Sequence, residues 1–453
     1  MRRAALIAVT LTSFLTPFTL SSVNVALPTI GNEFKVDAIT LNWIATAFLL
    51  SSAMFLVPFG RLADIKGRKR IFVIGVSIFT AGSLLSALST SAEMLIAFRV
   101  LQGIGGAMVF STGVAILTSV FSPQERGKVL GINVASVYTG LSLGPFFGGI
   151  LTQNFGWRSV FIVNVPLGII IALLTTLKLK AEWADARGER FDLVGSIIYS
   201  LMLVLIMLGV SESEITLIVA GLALLVAFIL WESRVEYPVL EIRLFRRNVT
   251  FALSNLAALL NYAATFAVTY LLSLYLQYIK ALTPQQAGFI LIAQPVVQAL
   301  LSPFAGWLSD RIEPRVVASA GMAVTALGLL IFSTIDENTE ISMIVANLMI
   351  MGFGFALFSS PNTNAIMSSV ERRFYGIASA TLATMRVVGQ MLSMAIVMLV
   401  FAIYIGKVSI TPKVYPLLID SIRTSFAIFS ILCFFGIFAS LARGEVRKKS
   451  LES

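Results

Sequence analysis

Residues 60–70 are Gly-Arg-Leu-Ala-Asp-Ile-Lys-Gly-Arg-Lys-Arg, a short polar segment between two apolar runs, 41–60 and 71–90. One acidic residue stands among five bases, and a glycine at each end of the basic stretch lets the chain turn sharply. Bases alone suit a loop that faces one side of a membrane, but they leave Asp64 unexplained. We expect Asp64 to face the N-terminus of a neighbouring helix or a basic side chain. The predicted gating loop consists of Gly60, Asp64, Gly67 and Arg68.

The composition of the chain places its apolar runs in lipid. Of the 453 residues, 57% are hydrophobic and 12% are charged, and the mean hydropathy is +0.91. One soluble core cannot bury that much apolar surface. A bilayer core of roughly 30 Å takes about 20 apolar residues per helix, and runs of that length recur along the chain. They do not alternate with polar residues, so they predict helices rather than barrel strands.

Breaks rich in charged or turn-forming residues divide the chain into fourteen predicted spans. They lie at 4–27, 41–60, 71–90, 93–118, 128–152, 159–177, 194–211, 214–231, 251–278, 285–308, 316–334, 341–361, 375–404 and 420–441. The first run ends in Asn-Val-Ala-Leu-Pro at residues 24–28 rather than at a small-residue cleavage site. It is therefore predicted to be a retained span and not a signal peptide.

Basic residues are distributed unevenly between the predicted loops. With both termini placed in the cytoplasm, about 25 of the 33 lysines and arginines fall on the cytoplasmic side, as the positive-inside rule requires. The net charge of +10 then reflects topology and contact with anionic membrane lipids. No soluble basic face is left for a nucleic acid. These features predict a multi-pass protein of the plasma membrane.

Residue content excludes several kinds of chemistry. The single cysteine, Cys433, permits no intrachain disulfide and no two-cysteine metal or redox motif, and the chain has no histidine. A G-x-x-x-x-G-K-S/T phosphate loop is absent as well. The sequence therefore predicts no enzyme, no metal, no cofactor and no use of nucleotide hydrolysis by this chain.

Three glycine patterns recur in the second part of the chain at nearly one spacing, 246 residues for the first and 249 for the others. They are Gly60/Asp64 with Gly306/Asp310, Gly103/Gly105 with Gly352/Gly354, and Gly127/Gly140 with Gly376/Gly389. Each pair falls at the matching place in a six-span block. Two halves, 1–178 and 250–453, are therefore predicted to be parallel repeats around a central pathway, with an extra helical pair within 179–249.

Further stretches, taken with 60–70, resemble the motifs of a known family. They are Arg99-Val-Leu-Gln-Gly-Ile-Gly-Gly-Ala107, Gly140-x-x-x-Gly144-Pro145-x-x-Gly148-Gly149, Asn24-Val-Ala-Leu-Pro28, and Trp157-Arg158 with Phe161, Asn164 and Pro166. Together they resemble the major facilitator superfamily along the whole chain, and within it the fourteen-span branch of drug:proton antiporters. The resemblance implies two six-helix bundles with two extra helices between them. Its expected partners are a small-molecule substrate and protons, and the chain is predicted to act as a monomer.

The glycine stretch in the fifth span has a physical reading of its own. Gly140, Gly144 and Gly148 are four residues apart, so they share one helix face and allow close backbone packing. Pro145 removes a backbone hydrogen bond and bends the helix. With Gly149, the stretch resembles the antiporter-associated motif of the family, and we expect a role in gating.

Two arginines lie well away from the ends of predicted spans, Arg99 in the fourth and Arg386 near the middle of the thirteenth. A buried arginine costs at least ~2.5–3.5 kcal/mol on insertion, so each is expected to face a partner or a water-filled cavity. Arg99 is also close enough to the outer surface to reach it. By resemblance, Arg99 and Gln102 belong to the coupling machinery, and Glu93 at an outer helix end is a further candidate for protonation.

Polar side chains within the spans are candidates for lining a central cavity. They are Thr19, Asn24, Asn42, Asn133, Asn255, Asn261, Tyr262, Gln294, Gln298, Asn362 and Gln390. Each is also explained by a hydrogen bond between helices.

Thr19 is the notable departure from the family pattern. Many members carry a membrane-embedded aspartate five residues before the asparagine that corresponds to Asn24, and this chain has Thr19 there. No carboxylate is predicted deep in any span, since Glu33 and Asp37 are placed in the outer loop. The coupling ion is therefore left open.

The leading hypothesis is a proton-coupled exporter of small amphipathic molecules or drugs that works by alternating access. An alternative keeps the fold but assigns an anionic or lipid-like substrate, attracted by Arg99 and Arg386, with another coupling ion or none. A non-transporting membrane sensor is more remote. A channel is disfavoured because the sequence has no charged ring or filter-like loop.

Overall fold

The structure is a computed structural model that describes residues 1–240, 242–371 and 375–444. Within those ranges, the side chains at positions 123, 124, 126–128, 243, 310, 375 and 376 lie outside the description. The described chain contains fourteen helices long and apolar enough to cross a membrane, and no β-strand. The predicted all-α fold class with fourteen spans is confirmed.

The spans are labelled α1 to α14 in chain order. The first eight are α1 Arg2–Phe34, α2 Ala38–Lys66, α3 Arg68–Ala87, α4 Ala92–Val120, α5 Pro123–Phe155, α6 in the segments Ser159–Ile162 and Asn164–Lys178, α7 Leu193–Ser211 and α8 Ile215–Glu232. Next, α9 consists of Val249–Thr265, Ala267–Leu274 and the π-helical turn Tyr275–Ile279, and α10 of Pro284–Leu291 and Ala293–Arg311. The last four are α11 Pro314–Phe332, α12 Ile341–Ser368, α13 Tyr375–Tyr404 and α14 Tyr415–Ala442. A short helix, Ile242–Arg247, precedes α9.

Helix α1 is longer than its apolar run predicts. It continues to Phe34, so Glu33 lies in its last turn, and the prediction that placed Glu33 in a loop is wrong. The helix extends because Glu33 accepts a hydrogen bond from Trp157 Nε1 at 2.7 Å and pairs with Arg158 at 2.8 Å. Asp37 begins the next helix as its N-cap, accepting the Ile39 amide at 2.9 Å.

An even number of spans brings both ends of the described chain to one face of the bundle, called here the terminal face. There, Arg2 pairs with Glu125 at the start of α5 at 3.3 Å, and Thr250 donates to the carbonyl of Arg443 at 2.9 Å. The other side, called the opposite face, carries the Glu33 cluster. The two longest segments between spans, 179–192 and 233–248, lie at the terminal face.

Helix packing repeats with a shift of eight spans. Helices α1 and α5 pack together, as do α3 and α4 and also α2 and α4. The equivalent pairs, α9 with α13, α11 with α12 and α10 with α12, pack in the same way. We call α1–α6 the first half and α9–α14 the second half. The boundaries at residues 178 and 250 stay a prediction.

Close helix packing explains why glycines recur in the sequence. A β-carbon on Gly105 would stand 2.7 Å from the carbonyl oxygen of Gly75 on α3. In the second half, a β-carbon on Gly354 would stand 2.9 Å from the carbonyl oxygen of Gly321 on α11. Both distances are too short for a carbon atom, so the fourth span of each half needs glycine where it crosses the third.

The extra helices α7 and α8 pack on each other, and α7 packs on α2 and α13, one helix from each half. Tyr199 donates to the carbonyl of Ala53 at 3.0 Å, and Trp43 donates to Ser211 at 2.9 Å. Large apolar side chains remain exposed on the outside of the bundle, for example Leu300 at 73%. Such a surface belongs against lipid.

Candidate substrate pathway

A small central cavity of 80 Å³ lies between the two halves. Its described lining is Ser21, Asn24, Tyr138, Leu141, Pro145, Tyr262, Thr265, Phe266, Thr269, Leu291, Gln294, Pro295, Gln298, Phe355 and Gln390. Helices α1 and α5 of the first half and α9, α10, α12 and α13 of the second contribute. Any movement of one half against the other therefore changes the shape of the cavity.

The lining is uncharged but rich in hydrogen-bonding groups. It combines amides, hydroxyls and aromatic rings, and none of its described residues is Asp, Glu, Lys or Arg. Asn24 Oδ1 and Gln298 Nε2 are buried and have no hydrogen-bond partner. An unpaired buried acceptor and donor are costly unless something binds them. The site suits a neutral ligand with aromatic and polar surface.

Two tyrosines close the end of the cavity nearest the terminal face. The hydroxyls of Tyr138 on α5 and Tyr262 on α9 lie 2.7 Å apart. Both rings make edge contacts with Phe355, at centroid distances of 6.2 and 5.9 Å. This hydrogen bond joins the two halves directly.

A larger vestibule of 720 Å³ lies at the terminal face. Its walls are the ends of α2 and α4, the beginning of α13, and parts of the segments before α7 and before α9. Gly60, Asp64 and Arg68 of the predicted gating loop line it. The prediction of a loop over residues 60–70 is wrong, because Gly60 and Asp64 lie in α2, Arg68 begins α3, and only Gly67 between them is not helical. The name gating loop is kept below for this junction of two helices, which forms part of an entrance.

Arg68 is the centre of the gating loop. Its guanidinium contacts Asp64 at 2.7 Å, Asp185 at 2.8 Å and Ser119 on α4 at 2.6 Å. Gly67 has φ 116°, a conformation that favours glycine. Asp310, the equivalent of Asp64 in the second half, lies in α10, but its side chain is outside the described part of the chain.

The sequence patterns assigned no functional role to residues 179–192, the segment between α6 and α7. It binds the gating loop through the carbonyl of Trp183, which accepts the Arg68 amide at 2.8 Å, and through Glu182, which accepts the Lys69 amide at 2.8 Å. Glu189 pairs with Arg61. The acidic residues of this segment, together with the five bases at residues 60–70, were the sequence pattern that could have indicated this contact.

At the opposite face the halves are closed against each other. Gln277 donates to the carbonyl of Val25 at 2.9 Å, and the Ala38 amide donates to the carbonyl of Val408 at 3.1 Å. A β-carbon on Gly149 would stand 2.5 Å from the carbonyl oxygen of Pro284. The central cavity is therefore separated from this face by direct contacts between α1, α2, α5 and the second half.

The glycine motif of α5 faces α1. Ser22 on α1 donates to the carbonyl of Gly144 at 2.9 Å. A β-carbon on Gly140 would collide with the backbone of Phe14, and one on Gly148 would stand 2.7 Å from the Ser22 Cα. Pro145, by contrast, lines the central cavity. One helix thus packs tightly inside its own half and borders the pathway at the same point.

Arg99 lies in a sealed polar pocket and does not reach the outer surface. It is fully buried, donates to the carbonyl of Ile44 at 3.1 Å and to Gln102 at 2.5 Å, and stacks on the Phe48 ring at 4.7 Å. Gln102 in turn donates to Ser83 at 2.6 Å. Arg99 and Gln102 therefore join α2, α3 and α4 and line neither cavity described above.

The other charged candidates are placed differently. Arg386 is half-buried on α13, with its guanidinium 5.7 Å from the centre of the Phe110 ring, and it lies between vestibule residues such as Thr384 and the cavity residue Gln390. Glu93 is exposed at the start of α4, at the opposite face. It lines neither cavity.

Five predicted cavity residues line the central cavity, namely Asn24, Tyr262, Gln294, Gln298 and Gln390. The other candidates do not line it; they are Thr19, Asn42, Asn133, Asn255, Asn261 and Asn362. Asn42 accepts from Thr46 at 2.6 Å, one turn along α2. Asn261 is fully buried in α9 with its side-chain amide unpaired. The orientation of each helix about its own axis turns these side chains toward other helices. Hydropathy does not reveal that orientation.

Thr19 and Asn362 serve the packing of their own halves. Thr19 is fully buried and lies 2.9 Å from Asn164 of α6. Asn362 accepts a hydrogen bond from Arg443 at 2.7 Å and donates to the carbonyl of Ser254 at 3.1 Å. Burial lowers the pKa of Arg443 to about 10, so the guanidinium still carries its charge at neutral pH.

Two helical halves that enclose a neutral cavity, with an entrance at one face and a seal at the other, define a membrane transporter. The model of the Major Facilitator Superfamily matches residues 9–248 and 255–453. The chain belongs to the Major Facilitator Superfamily and is not an enzyme.

Similar proteins include transporters with different named substrates. The chain is 32% identical over 384 residues to the riboflavin transporter RibZ of Clostridioides difficile, and the match covers 84% of each protein. It is 31% identical over 394 residues to the multidrug resistance protein Stp of Mycobacterium tuberculosis, covering 85% of this chain and 73% of that one. The cephamycin export protein CmcT of Amycolatopsis lactamdurans is 31% identical over 410 residues, covering 87% and 84%.

Solved structures share the fold. A bacterial homologue of the human lysosomal transporter Spinster, in an inward-facing and unoccupied conformation, matches with a TM-score of 0.70 at 16% identity, over 98% of this chain and 96% of that one. The human organic anion transporter MFSD10 matches with a TM-score of 0.67 at 14% identity, over 97% and 99%. At these identities the likeness concerns the fold alone.

Proposed function

We propose that this transporter exports small amphipathic molecules or drugs by alternating access, coupled to the entry of protons. The central observation is the neutral cavity between the halves, which is sealed toward the opposite face and lies beside a vestibule at the terminal face. In this conformation a substrate reaches the vestibule from the terminal face, and the Tyr138–Tyr262 contact must open and the cavity widen before it enters. Rocking of the halves then opens the opposite face and releases it.

The direction of export follows from the orientation of the chain. Most lysines and arginines lie at the terminal face, so we place that face and both termini in the cytoplasm of a cell with this protein in its plasma membrane. A substrate collected there leaves the cell.

The cavity favours an uncharged substrate with flat aromatic and hydrogen-bonding surface. Amides of Asn24, Gln294 and Gln390 can bind its polar edge, while Phe266 and Phe355 offer apolar contact. The name of the relative RibZ, a riboflavin transporter, supports an uncharged molecule with aromatic and polar surface. Drugs of similar shape fit the same description.

One observation favours a second candidate, an anionic or lipid-like substrate. Arg386 lies on α13 between vestibule and cavity, where a passing anion would meet its charge. Arg99 gives no such support because it is sealed between helices. The Arg386→Gln variant separates the two proposals: selective loss of anion transport favours the second candidate, whereas equal transport of all probes removes it.

The proposal is tested in proteoliposomes with an imposed pH gradient. Riboflavin serves as the neutral fluorescent probe and calcein as the anionic one, and the Gly148→Val variant serves as the inactive control. We expect transport of riboflavin but not of calcein, abolished when an uncoupler collapses the gradient. Transport that persists with the uncoupler would overturn proton coupling, and transport of neither probe would overturn the substrate class.

A further inference from the structure

An acid pair lies where the two extra helices meet at the terminal face. Asp192 is the N-cap of α7, and Glu232 is the last residue of α8. A β-carbon built on Gly195 would collide with Oδ2 of Asp192 and Oε1 of Glu232 at once, so both oxygens flank one point. The two carboxyl groups therefore lie side by side.

Asp192 accepts hydrogen bonds from two neighbouring groups. It accepts the Gly195 amide at 2.9 Å and Trp231 Nε1 at 3.0 Å. It also sits at the N-terminus of α7, where the helix dipole favours a negative charge. These partners are all donors, so they leave Asp192 as a hydrogen-bond acceptor.

Glu232, unlike Asp192, has a buried carboxylate oxygen that accepts no hydrogen bond. Its side chain is buried, with 1% of the residue exposed, and Oε2 accepts the Leu240 amide at 3.1 Å. Oε1 is buried without any hydrogen bond. Within the described part of the chain no cation pairs with Glu232, and the charged group that acts on it is Asp192. A buried anion beside a second anion is strongly disfavoured.

We propose that Glu232 and Asp192 together bind one proton. The proton resides on Oε1 of Glu232 and is donated to Oδ2 of Asp192, which completes the one missing hydrogen bond. Glu232 is then neutral and Asp192 carries the single negative charge. A proton from water at the terminal face is the only reactant, and its loss returns both groups to carboxylates.

The proton has a mechanical consequence for the segment 233–240, called here the strap. Glu232 holds the Leu240 amide, and Pro238, Val239 and Leu240 line the vestibule. When the proton leaves, repulsion between two carboxylates pushes Glu232 from its position and releases the strap. Binding of a proton therefore sets the shape of the vestibule mouth.

Other charged groups near the strap do not neutralise the pair. Tyr237 bonds to Glu236 and lies near Glu189 and Arg190. Glu189 is already paired with Arg61. The acid pair thus responds to the proton itself. Its connection to transport rests on the proposed function, whereas the binding of the proton rests on the geometry alone.

Infrared spectroscopy of the purified full-length protein tests the proton site without any transport assay. At neutral pH we expect the carbonyl stretch of one protonated carboxyl group, which disappears as the pH is raised. The band should be lost in Glu232→Gln and should disappear at a lower pH in Asp192→Asn, because the second carboxylate is then absent. It should remain in Glu236→Gln, which makes the same change at an exposed acid of the strap. Absence of the band in the unmodified protein, or its persistence in Glu232→Gln, overturns the proposal.

A second measurement follows the strap. Val239→Cys, in a Cys433→Ser background, is labelled with a water-soluble maleimide over a series of pH values. At each pH its labelling rate is divided by that of the same protein carrying Glu232→Gln, which removes the effect of thiol ionisation. Glutamine keeps the neutral geometry, so the ratio should rise with pH as the strap of the unmodified pair is released. A ratio that stays constant overturns the link between proton and strap.

Discussion

The hydroxyl groups of Tyr138 on α5 and Tyr262 on α9 lie 2.7 Å apart and join the two halves at the terminal-face end of the central cavity. A transporter that alternates must break such a contact in each cycle. The Tyr138→Phe variant removes the hydrogen bond and keeps the aromatic ring. It leaves the Tyr262 hydroxyl unpaired and weakens closure by about 1 kcal/mol, or about fivefold in population.

The measurement is the rate at which a water-soluble maleimide labels Gln390→Cys, a cavity position, in a Cys433→Ser background. Labelling should be up to about fivefold faster with Tyr138→Phe. Tyr415→Phe, at the opposite face, is the control and should leave the rate unchanged. Equal rates in all three proteins would show that the tyrosine pair does not restrict the cavity.

The tight contact between α1 and α5 gives a second prediction. Gly148→Val places a side chain where Ser22 stands, with the first carbon 2.7 Å from its Cα, and overpacking of this kind costs about 1–3 kcal/mol. We expect transport to be lost and the thermal stability of the purified protein to fall. Gly131→Val on the same helix is the matched control, because nothing lies within 4 Å of its β-carbon. Equal stability of the two variants would contradict the packing described for α5.

A third prediction concerns the amides of the cavity. Gln294→Ala removes a hydrogen-bonding group from the lining and should weaken riboflavin binding by about 1–3 kcal/mol, measured by fluorescence titration of the purified protein. Gln153→Ala changes an exposed glutamine on α5 and should leave the affinity for riboflavin unchanged. Unaltered binding in Gln294→Ala would place the ligand outside the central cavity.

The gating loop gives a fourth prediction. Arg68→Gln breaks the contacts with Asp64 and Asp185, whose charge-assisted hydrogen bonds are worth on the order of 2 kcal/mol. The segment before α7 should then detach, and trypsin should cleave after the exposed Arg187 more quickly. Arg70→Gln, an exposed base of the same loop, is the control. Slow cleavage in both would mean that Arg68 does not hold the segment.

The repeat illustrates how far sequence patterns reach. Gly105 and Gly354 were found by spacing alone, and each proves to be the point where the fourth span of its half crosses the third. Backbone contact requires glycine wherever it occurs, so close helix crossings leave a trace in the sequence. Side chains that line a cavity leave no comparable trace. Gln294 and Asn261 are both polar residues inside spans, yet one lines the cavity and the other is buried against helices.

Charge pairing shows the same limit. The five bases around residues 60–70 indicated a structured loop, but not that Asp185, more than a hundred residues later, would pair with Arg68. The acid pair of Asp192 and Glu232 was equally hidden, because each residue alone resembles a polar helix end. Only the packing of α7 on α8 brings the two carboxyl groups together.

The sequence by itself determined that a basic segment at residues 60–70 joins two membrane spans, that there are fourteen spans, and that the chain has the motifs of its family. A helix that crosses lipid needs an apolar run, and close helix packing needs small residues. Both requirements can therefore be read from short stretches of the sequence. The tertiary structure decided which polar side chains face the pathway, that Arg99 is sealed away from it, and which face is closed. Those outcomes depend on helix rotation and on contacts between distant segments, for which neither hydropathy nor spacing carries information.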